Sequence, residues 1–258
     1  MKYILRIFLL ISFSHFYAQA KYGFGAIQDL DKLRAAKISF LPSTKEILPS
    51  AYSLKKYAPI AGNQGGYGQC TAWSLAYAAL TIRESVALNR TDSIENTKRA
   101  FSPSFLYELG KQNNDSLCNK GMNQISGLEK LQEIGVPRLS QFSYSCGNKI
   151  DDIALINATY NKIEAFETLP SIDVIQSIKN KISNKIPVPF YMIVTPSIDD
   201  LIGKEYWDLK QEDFDLAVDL RNNNGSSSKP RVGWLADKTI TILYYDLTFF
   251  KLNFTSSF

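Results

Sequence analysis

The chain has 258 residues, enough for one large domain or two lobes sharing a cleft. Its 45% hydrophobic and 21% charged residues are globular values and exclude wholesale disorder. With Lys2 and Arg6 of the extreme N-terminus set aside, 27 basic side chains face 25 acidic ones, and this near balance gives no electrostatic reason to expect a nucleic-acid partner.

In chain order, residues 1–20 read as a secretory signal: Lys2 and Arg6 supply a basic start, "IFLLISFSHF" an apolar centre, and Ala18-Gln19-Ala20 an Ala-x-Ala cleavage sequence. The apolar run is too short to span a bilayer and is interrupted by Ser12, Ser14 and His15, so no stable membrane anchor is expected. The expected protein is secreted or periplasmic, cleaved after Ala20. Residues 21–50 form an N-terminal extension with a short helical patch near "LDKLRAAK" and no recognisable long inhibitory segment.

The stretch "GNQGGYGQC", residues 62–70, leads into "TAWSLAYAALTIRESVAL", and the run from Cys70 to about Leu88 is apolar on nearly every side, which predicts a helix inside the protein. Ser102 and Pro103 predict an N-cap and first helical residue opening "SFLYELGKQ". In "NQISGLEKLQEIG", Ile125, Leu128, Leu131 and Ile134 recur at turn spacing until Gly135 stops the helix. Further on, "IDVIQSIKNKI" is an amphipathic helix carrying Ile172, Ile175, Ile178 and Ile182 on one face. The runs "PVPFYMIVT" and "KTITILYYD", separated by the polar loop "RNNNGSSSKP", read as strands. Helices up to about residue 150 and strands thereafter make the fold class α+β in two lobes, residues 51–160 helical and 161–258 β-rich.

Three cysteines in an oxidising compartment leave one outside any bridge. Cys118 and Cys146 lie either side of a predicted helix whereas Cys70 starts one, so Cys118–Cys146 is the expected pair, although sequence alone leaves the connectivity open. No Cys-x-x-Cys spacing is present and the single histidine is His15, so neither a metal nor an organic cofactor is implied.

A cysteine at a helix start meets free backbone N–H groups and the positive end of the helix dipole, which favour the thiolate, the reactive nucleophile. The oxyanion formed by attack on a carbonyl needs donors, and the Cys70 N–H with the Gln64 side chain could supply two. Gln64 reaches back only through a tight turn, which Gly65, Gly66 and Gly68 permit.

These residues carry a resemblance. "NQGGYGQCTAWS" is similar to the active-site signature of papain-like cysteine peptidases, matching at Asn63, Gln64, Gly65, Gly68, Cys70, Ala72 and Ser74 with Trp73 in the aromatic slot. "FSPSFLYEL", "CNKGM" (residues 118–122), "GLEKLQEIGVPRLSQFSYSC" and "IKNKISNKIPVPFYMIVTPS" resemble successive later segments of that family, so the resemblance runs from about residue 51 to 200. It implies a two-lobe fold of the bacterial secreted type, a peptide or protein substrate, Cys70 and Gln64 as catalytic residues, and Gly121 as a backbone contact for substrate. Thr71 departs from the family's tryptophan, Lys120 from its first cleft glycine, and Tyr67 stands where many members bridge to the counterpart of Cys118, which again directs Cys118 to Cys146.

The largest departure concerns the general base. The family's histidine motif is matched only by "ADKTITILYYD", where the shared Tyr245-Asp246 places Lys238 at the histidine position, and the Asn-Ser-Trp-Gly motif that orients the ring is absent, Asn253 being the nearest asparagine. With His15 in the leader, the resemblance implies weak or absent peptide hydrolysis. The expectations are therefore a truncated or degenerate peptidase with an incomplete β lobe or, alternatively, a secreted pseudopeptidase that binds peptides.

Overall fold

The computed structural model describes residues 25–27, 29–39, 47–170, 174–190, 238–245 and 249–256, with isolated positions at 197, 210–212 and 215. The leader expected over residues 1–20 lies outside the described residues. So does most of the "PVPFYMIVT" strand, whose Pro187–Phe190 carry no regular structure. No helix among the described residues is long and apolar enough to cross a membrane.

Strand β1 (Ala26–Ile27) leads to helix α1 (Leu30–Ala35), whose first turn is closed by the Asp29 carboxylate accepting from the N–H groups of Asp31 and Lys32. After a 3-10 turn at Lys55–Tyr57 comes α2, residues 70–87. It begins as α-helix (Cys70–Ala72), widens to a π-helix over Trp73–Leu80, and returns to α-helix over Thr81–Ala87. Short α3 (Ser93–Lys98), capped by Asp92, precedes α4 (Pro103–Gly110). In α4 the Ser102 hydroxyl accepts from the Phe105 N–H, and Pro103 sits where its missing N–H costs nothing.

Strand β2 (Met122–Asn123) passes directly into α5 (Gln124–Glu133), capped by the Asn123 side chain on the Ser126 N–H. Gly135, at φ 86°, ends that helical region in the left-handed conformation glycine accepts without strain. Helices α6 (Asp152–Thr159) and α7 (Val174–Ser183) follow, then an antiparallel hairpin of β3 (Lys238–Tyr245) and β4 (Phe249–Ser256), with Lys238 opposite Ser256 and Tyr245 opposite Phe249. Among the described residues a second sheet is the parallel pair β1–β2, Ala26 opposite Met122. The fold class is α+β, with the cysteine-bearing helix in the helical part.

The apolar sides of α2 are buried because helices enclose it: Ala72, Leu75 and Ala76 join Phe105, Leu106 and Tyr107 of α4, Leu131 of α5 and Ala154 and Ala158 of α6 in one core. Phe105 and Phe142 meet edge to face at 5.3 Å. Two covalent and ionic ties brace the core. Cys118 and Cys146 are joined, S–S 2.01 Å, linking the loop after α4 to the loop after α5. Glu84 of α2 takes Arg138 at 2.5 Å and Arg90 at 2.8 Å, while the Arg138 guanidinium lies 4.1 Å over the Phe101 ring.

Two outcomes test these ties. Replacing Cys118 and Cys146 together by alanine should cost about 3–4 kcal/mol in urea unfolding for a loop of this size. Burial raises the Glu84 pKa, but hydrogen bonds and charge from Arg138 and Arg90 outweigh it and hold the pKa below its ordinary 4.5. The unfolded chain therefore binds the proton first on acidification, and Glu84 stabilises the fold fully above 4.5 and progressively less as pH falls through the depressed value. The stability gap between wild type and Glu84→Gln, measured by urea titration from pH 7 downwards, should be largest near neutrality and close in acid.

Candidate functional site

Loop 62–69 delivers Cys70 to the start of α2, and each expected feature of that loop has a local cause. Gly65 takes φ 57°, with its N–H donating to the Asn63 side chain at 2.7 Å, which makes the turn between Gln64 and the cysteine. Gln64 is 1% exposed, and its Nε2 donates to the Tyr67 carbonyl at 2.9 Å, closing the loop on itself. Gly68 then donates to the Cys118 carbonyl at 2.6 Å, so the loop is tied to the disulfide segment.

Aromatic residues support the outer side. Trp73 packs on Tyr77 at 4.6 Å and on Tyr144 at 5.0 Å between ring centres, and Tyr144 reaches Tyr67 at 6.0 Å. The Tyr144 hydroxyl donates to the Gln64 carbonyl at 2.8 Å, and Tyr77 donates to that of Ile60 at 2.6 Å. Burial pushes the Tyr144 phenol up to about 12, so it remains a donor at neutral pH.

Cys70 is 1% exposed and is the cysteine outside the bridge. Its sulfur accepts a hydrogen bond from the backbone N–H of Gly25 at 3.2 Å. Gly25 in turn accepts at its carbonyl from the Met122 N–H at 2.8 Å, and the Ile27 carbonyl accepts from Asn123 Nδ2 at 3.1 Å. A peptide main chain thus lies across the thiol, seated on residues 121–123. Lys32 of α1 fastens the segment to Ser126 and Glu129 at 2.9 and 3.2 Å. Farther along, the Ser39 N–H donates to the Thr168 carbonyl and the Thr168 N–H to the Lys37 carbonyl, and Lys37 pairs with Glu167 at 2.8 Å. Hydrogen bonds from Lys37 and then Ser39 pull the Glu167 carboxyl down to about 2. The sequence showed no long inhibitory segment over residues 21–50; a short strap, residues 25–27, nonetheless lies over the cysteine, and residues 29–39 are tied down beyond it.

The other expected residues divide. Gly121, at φ 86°, stands against the strap so closely that a side chain there would meet the Gly25 carbonyl at 2.1 Å, but its own N–H donates inward to Tyr107 at 2.9 Å and Met122 makes the outward bond. Thr71 donates through its hydroxyl to the Met122 carbonyl at 3.1 Å, tying α2 to β2. Lys238 begins β3 opposite Ser256, and its side chain lies outside the described residues, as does that of Asn253 in β4. Tyr107, Tyr144 and the strap escaped the sequence reading, since a tyrosine in an apolar run reads as core and a two-residue strand has no periodicity. Glu108, Cys118 and Cys146 have ligand-type atoms within 4.8 Å of one another, but both sulfurs are spent in the S–S bond and offer no thiolate to a metal.

No family model and no curated protein matches the chain. Among solved structures it is similar to xylellain, a cysteine protease from Xylella fastidiosa, at 20% identity over 64% of each chain with a TM-score of 0.49. It is also similar to the digestive procathepsin L 3 of Tenebrio molitor larval midgut, at 13% identity over 69% of this chain and 60% of that one with a TM-score of 0.45. The proform of the ragweed pollen cysteine protease Amb a 11 matches at 18% identity over 55% of this chain and 38% of that one, TM-score 0.36. The chain thus covers less than two thirds of the length of each.

A side chain at Gly25 would meet the Gly68 carbonyl at 1.8 Å, so Gly25→Ala cannot keep the strap seated. Iodoacetamide should alkylate Cys70 about tenfold faster in this variant than in the full wild-type chain, as expected for loss of one or two hydrogen bonds over the sulfur. An unchanged rate would show that the strap does not gate the thiol.

Proposed function

We propose that the chain is a papain-like cysteine peptidase homologue whose groove over Cys70 takes peptide or protein chains. The observation that carries this reading is the main chain of residues 25–27 lying across the sulfur and hydrogen-bonded to Met122 and Asn123. A surface that already holds one extended backbone offers the same donors to another.

In this reading Cys70 is the nucleophile, and its backbone N–H and the Gln64 carboxamide receive the oxyanion. The strap presents a nitrogen to the sulfur, not a carbonyl carbon, so it blocks the groove without being placed for attack.

Expulsion of the amine needs a proton donor, and the sequence's one histidine, His15, falls in the expected leader. Lys238 is the residue in the histidine's register. A lysine brought into a dry site can work near neutral pH, but turnover from these residues is expected to be slow or absent. A second reading, a secreted pseudopeptidase that binds peptides without cleaving them, draws on the seated backbone and on the lack of any histidine among the described residues.

The test uses the Gly25→Ala chain, in which the groove is open. A peptidyl chloromethyl ketone should label Cys70 faster than iodoacetamide does, relative to their rates on free cysteine, and an unmodified peptide should bind the Gly25→Ala, Cys70→Ala double variant. Equal relative rates and no binding would refute a peptide groove. Fluorogenic peptide turnover that disappears in Lys238→Ala would identify the base; absence of turnover with binding intact would select the pseudopeptidase.

A further inference from the structure

We propose that Tyr107 and Asp115 are positioning residues for peptide recognition, a buried pair that holds loop 113–121 so that Met122 offers its N–H to a backbone lying over Cys70. This rests on the reading of the groove as a peptide site.

The loop needs holding. Asn114 and Cys118 both take left-handed backbone, φ 61° and 52°, in addition to Gly121. Non-glycine residues persist there only when their surroundings fix them. Asp115, 3% exposed, supplies the fixing: its Oδ1 accepts from the Asn119 N–H at 3.0 Å and its Oδ2 from the Lys120 N–H at 3.2 Å. Tyr107 of α4, fully buried, donates to the same Oδ2 at 2.6 Å and accepts the Gly121 N–H at 2.9 Å.

One phenol therefore connects the rigid helix, the carboxylate and the glycine beside the groove. Because Gly121 spends its N–H inward on Tyr107, the outward contact passes to Met122. Burial, then the Asp115 carboxylate, keeps the Tyr107 phenol protonated, and the Cys70 sulfur adds in the same direction. Burial alone would raise the Asp115 pKa, but Tyr107 and the two amides lower it, so the pair stays a neutral donor on a carboxylate.

Tyr107→Phe removes only the hydroxyl, and Asp115→Asn is the second variant. Two readouts are taken on the full chain: hydrogen exchange of the Gly121 and Met122 amides, and the rate of Cys70 labelling by a peptidyl chloromethyl ketone divided by that by iodoacetamide. The division cancels any change in strap opening. In Tyr107→Phe the Gly121 amide should exchange about tenfold faster while amides of α5 do not change, and the labelling ratio should fall by a similar factor. The proposal is overturned by unchanged exchange in both variants, or by exchange that rises equally throughout α4 and α5, which marks a merely structural role. If the wild-type ratio shows no peptide preference, the groove reading fails, and the Gly121 exchange still decides whether the pair positions the loop.

Discussion

The structure around Cys70 depends on the close approach of three backbones: the start of α2, the loop ending at β2, and the strap. A single added carbon at Gly121 or Gly25 would collide with a neighbouring carbonyl, at 2.1 and 1.8 Å. This closeness lets main-chain groups do the binding: Gly68 to Cys118, Met122 to Gly25, Gly25 to the sulfur. The disulfide and the Tyr107–Asp115 pair brace the loop from behind, and the Thr71 hydroxyl joins it to the helix that carries the thiol. The first half of α2 has the matching task of fixing its own start, since residues 70–77 are buried without a break, whereas the second half, expected inside the protein, exposes Arg83 and Ala87.

The chemistry proposed for this site is half of an acyl transfer. In that reading Cys70 at a helix start, the Gln64 carboxamide and the edge at Met122 would address attack on a carbonyl and its oxyanion. Departure of the amine is a separate problem, and no histidine stands among the described residues to serve it. The strap adds a restraint of modest size. The three hydrogen bonds made by residues 25–27 over the groove are each worth about 0.5–1.5 kcal/mol net, a scale at which local opening of that segment without global unfolding is ordinary.

Much of the helical part was legible because its signals are local. Ser102 and Pro103 cap α4 as their residue types demand, Gly135 closes the α5 region at positive φ, and the apolar run from Cys70 forms one helix to Ala87. The π-helical widening of α2 was not legible, since a run apolar on every side has no stripe whose drift could reveal it. Helices α3 and α6 were overlooked although Asp92 and Asp151 announce their first turns. The residues around the thiol divide the same way. Cys70, Gln64 and the turn at Gly65 follow from one continuous stretch, whereas the strap lies 45 residues from the cysteine it covers and Tyr144 80 residues from the Gln64 carbonyl it holds, and such pairings exist only once the chain is folded.

The central claim is that the strap occupies the place of a bound peptide. A crystal structure of the Cys70 adduct with a peptidyl chloromethyl ketone addresses it directly. The account predicts that the inhibitor's backbone accepts from the Met122 N–H and that residues 25–27 have left β2. An adduct with residues 25–27 still paired to Met122 and Asn123, and the inhibitor directed elsewhere, would contradict it.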